Sequence, residues 1–242
     1  MKFCVVQSLP VKGNVSENLV RHLRMIELAS AYNPEIIVFP ELSLTGYEPA
    51  LAHDLARDPG DSIFDELQRA SDHYNISIGA GAPLRVDGDI AISMLVFQPA
   101  QQRQLYAKTY LHADEEPFFS GKQGITSIKH ANMHVAFAIC YELSVAVHAE
   151  RAFNEGAGIY IASVAKSVAG VDAAMHNLSE IAMKYSMTVL MANAVGPADN
   201  FVCGGRSAAW NNRGELMGQL DAHSEGLLVY DTDNNGVTTV QF

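Results

Sequence analysis

Residues 134–139 read His-Val-Ala-Phe-Ala-Ile, an apolar run of strand length that does not alternate with polar residues and that stops at Cys140. A strand of this kind is packed on both faces, so the fold must place a layer on either side of it. Beyond the run the sequence turns polar, and residues 144–155 read as a helix. A side chain at such a strand-to-helix corner lies at the lip of the sheet, where backbone N–H groups also point outward and can bind an anion. A thiol there is well placed to be a nucleophile. A free cysteine is also among the most buried residue types, and on this segment alone Cys140 reads equally well as a small core hydrophobe.

The rest of the chain alternates strands with helices. Residues 2–8 are strand-like, and a helix over 16–32 carries Leu19, Leu23, Ile26 and Ala29 on one face, with Asn14 or Ser16 as its cap. A second strand over 35–39 stops at Pro40. A loop rich in turn formers occupies 41–59, and a helix over 62–74 returns the chain to a strand over 76–80, which completes a βαβαβ opening. The middle is strand-rich, with 83–85, a turn at Asp87-Gly88, then 90–98 and 104–108. After a polar loop over 109–124 come strands over 126–129 and up to Cys140, a strand over 159–163, a helix over 172–185 and a strand over 189–192. The tail from Val202 alternates in hairpin fashion around Asn212-Arg213-Gly214. No linker, repeat or low-complexity tract interrupts this order, so a single domain over 1–242 is expected.

Charge narrows the partners. Lys and Arg number 16 against 27 Asp and Glu, a formal net charge of −11, which disfavours nucleic acid or an anionic membrane surface and favours a small-molecule substrate. The N-terminus lacks the pattern of a signal peptide and no window reaches ~18 consecutive apolar residues, which points to the cytoplasm. Three cysteines without close pairing give neither a disulfide framework nor metal-knuckle spacing. Cys4 reads as packing in the first strand. Cys203, in a loop before Gly204-Gly205, is left open between packing and a role.

In open α/β sheets ligands bind outside the carboxyl ends of the strands, and three reactive residues stand there. Glu41 follows Ile36-Ile37-Val38-Phe39-Pro40, Lys108 follows Gln104-Leu105-Tyr106-Ala107, and Cys140 ends the run described above. Taken singly, each charge reads as a solvated residue at a strand edge; three together do not. The segments FPELSLTGY around Glu41, YAKTYLH around Lys108 and AICYEL around Cys140, in that order, resemble the three signatures of the carbon–nitrogen hydrolase (nitrilase) superfamily, in its amidase-like branches. Gly156-Ala157-Gly158-Ile159, Met191-Ala192-Asn193-Ala194-Val195-Gly196 and Asn212-Arg213-Gly214-Glu215 extend the resemblance over essentially the whole chain. It implies a four-layer αββα sandwich of the α/β class, a Glu41–Lys108–Cys140 triad, and a homodimer or higher homo-oligomer. A second glutamate shortly after the lysine is also implied. Glu115 suits the aromatic pair Phe118-Phe119 and the spacing from Lys108, with adjacent Glu116 as the alternative. Two features depart from the family pattern: Glu142-Leu143-Ser144-Val145-Ala146 replaces the usual residues after the cysteine, and Ser163-Val164-Ala165-Lys166-Ser167 lacks the common tryptophan.

These residue types make chemical sense together. An ordinary thiol is only a few per cent thiolate at neutral pH, so a carboxylate that takes its proton as attack begins makes it a nucleophile, the role expected of Glu41. Attack on an amide or nitrile carbon leaves negative charge that needs preorganised donors, for which Lys108 and the backbone N–H of Tyr141 are the candidates; Lys108→Ala is expected to lower the rate and leave the fold intact. Tyr141, Glu142 and Ser163 are the residues expected to touch substrate or oxyanion. No metal or cofactor is required. His112, His148 and His176 lack ligand spacing and read as surface or loop residues. The expected reaction is hydrolysis of a small amide or carbamoyl compound through a thioester with release of ammonia, with acyl transfer from the same thioester or a silent binding protein as alternatives. Glu142, Glu115 and Glu116 would repel an anionic substrate, while Lys166 and Arg206 lie in loops able to approach the site and bind a carboxylate.

Overall fold

The computed structural model describes residues 1–130 and 133–242. Its first half is built from β1 (Lys2–Gln7), α1 (Val15–Ser30), β2 (Ile36–Val38), a single turn of helix α2 (Ala52–Leu55), α3 (Asp65–Tyr74), β3 (Ser77–Val86), β4 (Asp89–Phe97) and β5 (Gln104–Ala107). The second half supplies β6 (Ser127–His130), β7 (Met133–Ile139), α4 (Ala146–Asn154), β8 (Ala157–Val164), α5 (Val171–Tyr185) and β9 (Thr188–Asn193). Six short strands close the chain: β10 (Val195–Ala198), β11 (Phe201–Gly204), β12 (Ala208–Trp210), β13 (Leu216–Gln219), β14 (Gly226–Asp231) and β15 (Gly236–Gln241). Asn14 caps α1, its Oδ1 accepting the Glu17 N–H at 3.2 Å, while Ser16 lies inside the helix.

Two large sheets result, a seven-stranded one in the order β15-β14-β1-β2-β3-β4-β5 and a six-stranded one in the order β13-β12-β9-β8-β7-β6, while β10 and β11 pair as a separate two-stranded ribbon. The strands β1, β2 and β3 are parallel at the heart of the first, and β7, β8 and β9 at the heart of the second. The non-alternating apolar runs now divide by parity. Phe3, Val5, Ile36, Val38, Val135, Phe137, Ile159 and Ile161 meet in one core between the sheets. Their neighbours Cys4, Val6, Ile37 and Phe39 join the residues of α1 and α3 in a second core, and Ala136, Ala138, Tyr160 and Ala162 pack with those of α4 and α5 in a third. Three cores separate four layers, helix on sheet on sheet on helix, which is the αββα sandwich.

Two local readings change. The expected strands 76–80 and 83–85 are one continuous β3. Pro83 sits opposite Ile92, whose carbonyl accepts from Lys108 on the far side, so the missing Pro83 N–H would point toward β2, which has already ended. The helix after Cys140 begins at Ala146 rather than 144, because residues 140–144 form a separate 3-10 turn. Ala174, Leu178 and Ile181 of α5 form a stripe buried in the core under the second sheet and serve packing within the chain. Among the described residues no helix is long and apolar enough to cross a membrane.

Candidate active site

Each reactive side chain owes its position to the end of a strand. The Glu41 turn runs alongside β3, with Phe39 N–H donating to Gly79 O and Leu44 N–H to Gly81 O, both at 2.9 Å. The approach is so close at Gly81 that a Cβ there would lie 2.5 Å from Leu42 N, and Leu42 itself takes φ 51°, the left-handed region that a branched residue rarely enters. Lys108 continues β5, its N–H donating to Ile92 O at 2.9 Å. Cys140 leaves β7 with φ 45°, a second strained non-glycine backbone at a strand end. Ser163 Oγ ties the two sheets together by donating to Phe39 O at 2.8 Å.

Lys108 is completely buried, and its Nζ donates to Glu41 Oε1 at 2.8 Å and to Glu115 Oε1 at 2.6 Å. Tyr47 OH donates to the same Glu115 oxygen at 3.0 Å, and Glu115 Oε2 accepts the His112 N–H at 2.8 Å. Glu115 is therefore the glutamate joined to the lysine, and Glu116 is exposed. The second oxygen of Glu41 is buried without a hydrogen-bond partner among the described residues. Burial pushes the Glu41 carboxyl above its ordinary range against the pull of Lys108, with the Cys140 thiol also favouring the charged form. Burial opposes the charge on Lys108, but Glu41, Cys140 and Glu115 outweigh it and hold the ammonium above its usual value. Burial, then Glu41, push the Cys140 thiol up to about 11, against Lys166 and Lys108. At neutral pH the thiol is protonated, and it lies beside the one Glu41 oxygen that Lys108 does not hold, so in the ionised form Glu41 can serve as its base.

Cys140 and Glu115 open onto a cavity of about 250 Å³ whose walls include Tyr47, Tyr141, Lys166 and Phe201. Of the other residues expected to touch substrate, Tyr141 lies on the wall with its ring edge-on to His112, and its N–H opens the 3-10 turn, where a backbone donor lacks an intrahelical acceptor. Glu142 and Ser163 are not on the wall. The Glu142 carboxylate is sealed inside, accepting from Thr109 N at 2.7 Å and Tyr110 N at 3.4 Å on one oxygen, and from Tyr106 OH at 2.5 Å and Ile139 N at 2.8 Å on the other. It braces the end of β5 against the end of β7. Arg206 is paired with Asp172 at 2.5 Å and does not line the cavity, whereas Lys166 does.

His148 is not a surface histidine. It lies between Tyr106 OH, 2.9 Å from Nε2, and Tyr160 OH, 2.8 Å from Nδ1, and burial lowers its pKa. Because Tyr106 donates to Glu142, the direction of the chain is fixed: Tyr160 donates to Nδ1 and Nε2–H donates to Tyr106. His112 and His176 are exposed. Cys4 and Cys203 are both buried in the cores, and burial pushes the Cys203 thiol up to about 12. Tyr47 and Phe201 gave no signal in the sequence beyond Tyr47 ending the segment that contains Glu41.

The model of the carbon-nitrogen hydrolase family matches residues 3–242. The chain belongs to the carbon-nitrogen hydrolase family. Among solved structures, an amidase from Nesterenkonia sp. AN1, with acrylamide added at its active-site cysteine, superposes with a TM-score of 0.85 at 20% identity, covering 96% of this chain and 92% of that one. Nit3 of Saccharomyces cerevisiae, a member of branch 10 of the nitrilase superfamily, gives 0.86 at 17% identity over 95% of this chain and 88% of Nit3. These likenesses establish the fold. Among curated proteins, the glutamine-dependent NAD(+) synthetase of Aquifex aeolicus is 25% identical over 91% of this chain and 40% of its own length, and that of Thermotoga maritima 22% over 96% and 42%. The chain thus spans about two fifths of those relatives.

Proposed function

We propose that this carbon-nitrogen hydrolase family member hydrolyses a small amide through a thioester on Cys140. The observation that carries the reading is the buried Glu41 carboxylate, one oxygen held by Lys108 and the other free, beside a protonated thiol on the floor of a small cavity. The Cys140 proton passes to Glu41 as sulfur adds to the amide carbon. The oxygen becomes an oxyanion, held by the Lys108 ammonium and the Tyr141 N–H. Collapse breaks the C–N bond as Glu41 returns the proton to nitrogen, and ammonia leaves. Water then adds to the thioester, giving its proton to Glu41, and collapse expels the sulfur, which takes that proton back and frees the acid. Glu115 holds Lys108 in place. The test is ammonia release across amides, carbamoyl compounds and nitriles, with intact mass of Glu41→Gln after exposure to each hit. An acyl adduct mapped to Cys140 supports the reading; turnover that survives Cys140→Ala overturns it.

The similarity to glutamine-dependent synthetases favours a second reading, in which glutamine is the amide and the ammonia is used elsewhere. Higher kcat/KM for L-glutamine than for every simple amide would select it. We also propose a homodimer. With the buried stripe of α5 committed to the core, Val147, Phe153 and Met183 on α4 and α5 are the exposed apolar residues available to an interface. Light scattering at micromolar concentration that gave the monomer mass of 26.2 kDa would refute it.

A further inference from the structure

The mechanism uses no residue of α1, yet this helix sends two polar side chains into the protein toward the turn that carries Glu41. Its buried face is otherwise apolar, with Val15, Leu19, Met25, Ile26 and Ala29; Asn18 and His22, one helical turn apart, are the exceptions. Burying an amide and an imidazole is costly unless their groups are bonded, and both bond in this region. Asn18 Oδ1 accepts the Val11 N–H at 2.7 Å, and its Nδ2 donates to Val11 O at 2.8 Å and to Leu44 O at 3.1 Å. His22 stacks on Phe39, two residues before Glu41, with ring centroids 4.0 Å apart, and its Nε2 lies 2.9 Å from the hydroxyl of Ser43, two residues after it.

The protons along this path have one arrangement. His22 Nδ1 lies 2.7 Å from Asn18 O, and a carbonyl only accepts, so Nδ1 carries the hydrogen. Burial pushes the imidazole down to about 4, so the ring is neutral and Nε2 is an acceptor. Ser43 therefore donates its single hydroxyl hydrogen to Nε2, and its oxygen accepts the Gly81 N–H at 3.3 Å. The result is a directed path from β3 through the Glu41 turn into α1. That turn needs holding from outside. Leu42 sits at φ 51°, a conformation that persists only where its surroundings over-determine it. The Glu41 carboxylate is anchored by Lys108 on Oε1 alone, so the direction of its free oxygen follows the backbone of the turn. An apolar residue at position 22 would fill the space and leave the Ser43 hydroxyl without its acceptor.

We propose that His22 is a positioning residue for the base: by accepting from Ser43 it holds the turn so that the free oxygen of Glu41 faces the Cys140 thiol. The proposal rests on the reading of Glu41 as the base of an amide hydrolase. His22→Leu and Ser43→Ala should each lower kcat about 10- to 100-fold, the scale of a misplaced reacting group, with KM near its wild-type value. His22→Gln, whose side-chain oxygen can take the Ser43 hydrogen, should recover most of the loss. The double variant His22→Leu/Ser43→Ala should be no slower than the worse single one, because both changes break the same path. Ile26→Ala, on the same buried face of α1, is the control for lost packing and should lower Tm while leaving kcat unchanged. Additive losses in the double variant, a kcat loss in Ile26→Ala equal to that in His22→Leu, a Gln variant no better than Leu, or a raised KM with kcat preserved would each overturn the proposal. If no amide is turned over, the hydrolase reading fails separately, and alkylation of Cys140 by iodoacetamide, followed by peptide mass, decides the present one. His22→Leu should change that rate while Glu41 is present and have no effect in Glu41→Gln. No change in either background, or the same change in both, overturns the proposal. Should His22→Leu not fold, Ser43→Ala takes its place in every comparison.

Discussion

Glu41 and Cys140 hold their protons in an order that sets the pH dependence. Burial raises the Glu41 carboxyl above the ordinary ~4.3 of a glutamate, and Cys140 is pushed up to about 11. The competent form has Glu41 ionised and the thiol protonated, so kcat/KM should climb as pH rises through the raised Glu41 value and fall again as the thiol ionises. A limb centred at the ordinary glutamate value, measured with any hydrolysed amide, would contradict the buried base. Glu41→Gln should cost about 10²–10⁴-fold in kcat. The structure also bears on the expectation that Lys108→Ala lowers the rate and leaves the fold intact. Its ammonium lies between two buried carboxylates, and removing one partner of a buried ion pair costs about 3–5 kcal/mol. In Lys108→Met the Glu41 carboxyl, already raised by burial, loses the pull of the ammonium and rises further above its unfolded value. A raised carboxyl pKa gives stability that is complete below the unfolded value and lost as pH climbs through the folded one. Thermal melts should therefore show the variant closest to wild type near pH 4–5 and furthest from it at neutral pH.

The elements were legible where the apolar runs are strong, and the site was legible where it coincides with a strand end. Glu41, Lys108 and Cys140 each follow a buried run directly, so sequence order alone exposes them. What escaped is whatever works through contacts distant along the chain. Glu142 reads as a neighbour of the nucleophile, yet its carboxylate turns inward to Thr109, Tyr110 and Tyr106 some thirty residues earlier. His148 reads as a surface or loop residue, and only the fold sets it between Tyr106 and Tyr160. Asn193 lies in a stretch resembling the family, but its hold on Lys166 depends on β8 and β9 being neighbours. The brace gives a prediction about how elements are coupled. Both oxygens of Glu142 accept from two donors, so Glu142→Gln must set an amide N–H against a donor whichever way it turns. A buried donor left unsatisfied costs about 1–3 kcal/mol, or roughly 2–12 °C in Tm for a chain of this size. Because the brace joins the Lys108 and Cys140 strand ends without reaching the cavity, kcat should fall and KM stay near its wild-type value. A rise in KM with kcat preserved would place Glu142 on the substrate after all.

At the scale of the whole molecule, the chain returns to its beginning to finish the first sheet. β14 lies beside β1 over six residue pairs, from Lys2 opposite Asp231 to Gln7 opposite Gly226, and only then does β15 add the edge. The two last strands differ in what they bury. In β14, Leu228 and Tyr230 enter the core between the sheets while Leu227 and Val229 enter the core under α1 and α3, all four nearly inaccessible. At about 1.5–3 kcal/mol for each such side chain, they contribute roughly 6–12 kcal/mol, which is comparable to the whole stability of an ordinary domain at about 5–15 kcal/mol. In β15 only Val237 and Val240 are half-buried and the rest is exposed, so its loss should cost a few kcal/mol at most on the same scale. Deleting residues 236–242 should therefore lower Tm yet preserve a single cooperative transition, provided the melt is run dilute enough that the bared edge of β14 does not seed association. Deleting residues 226–242 should abolish the transition, because it strips β1 of a partner and opens two cores at once. Calorimetry on both truncated proteins decides the matter. A cooperative melt that survives the loss of β14 would mean the sandwich is held by β1, β2 and β3 against the second sheet without the returning strand.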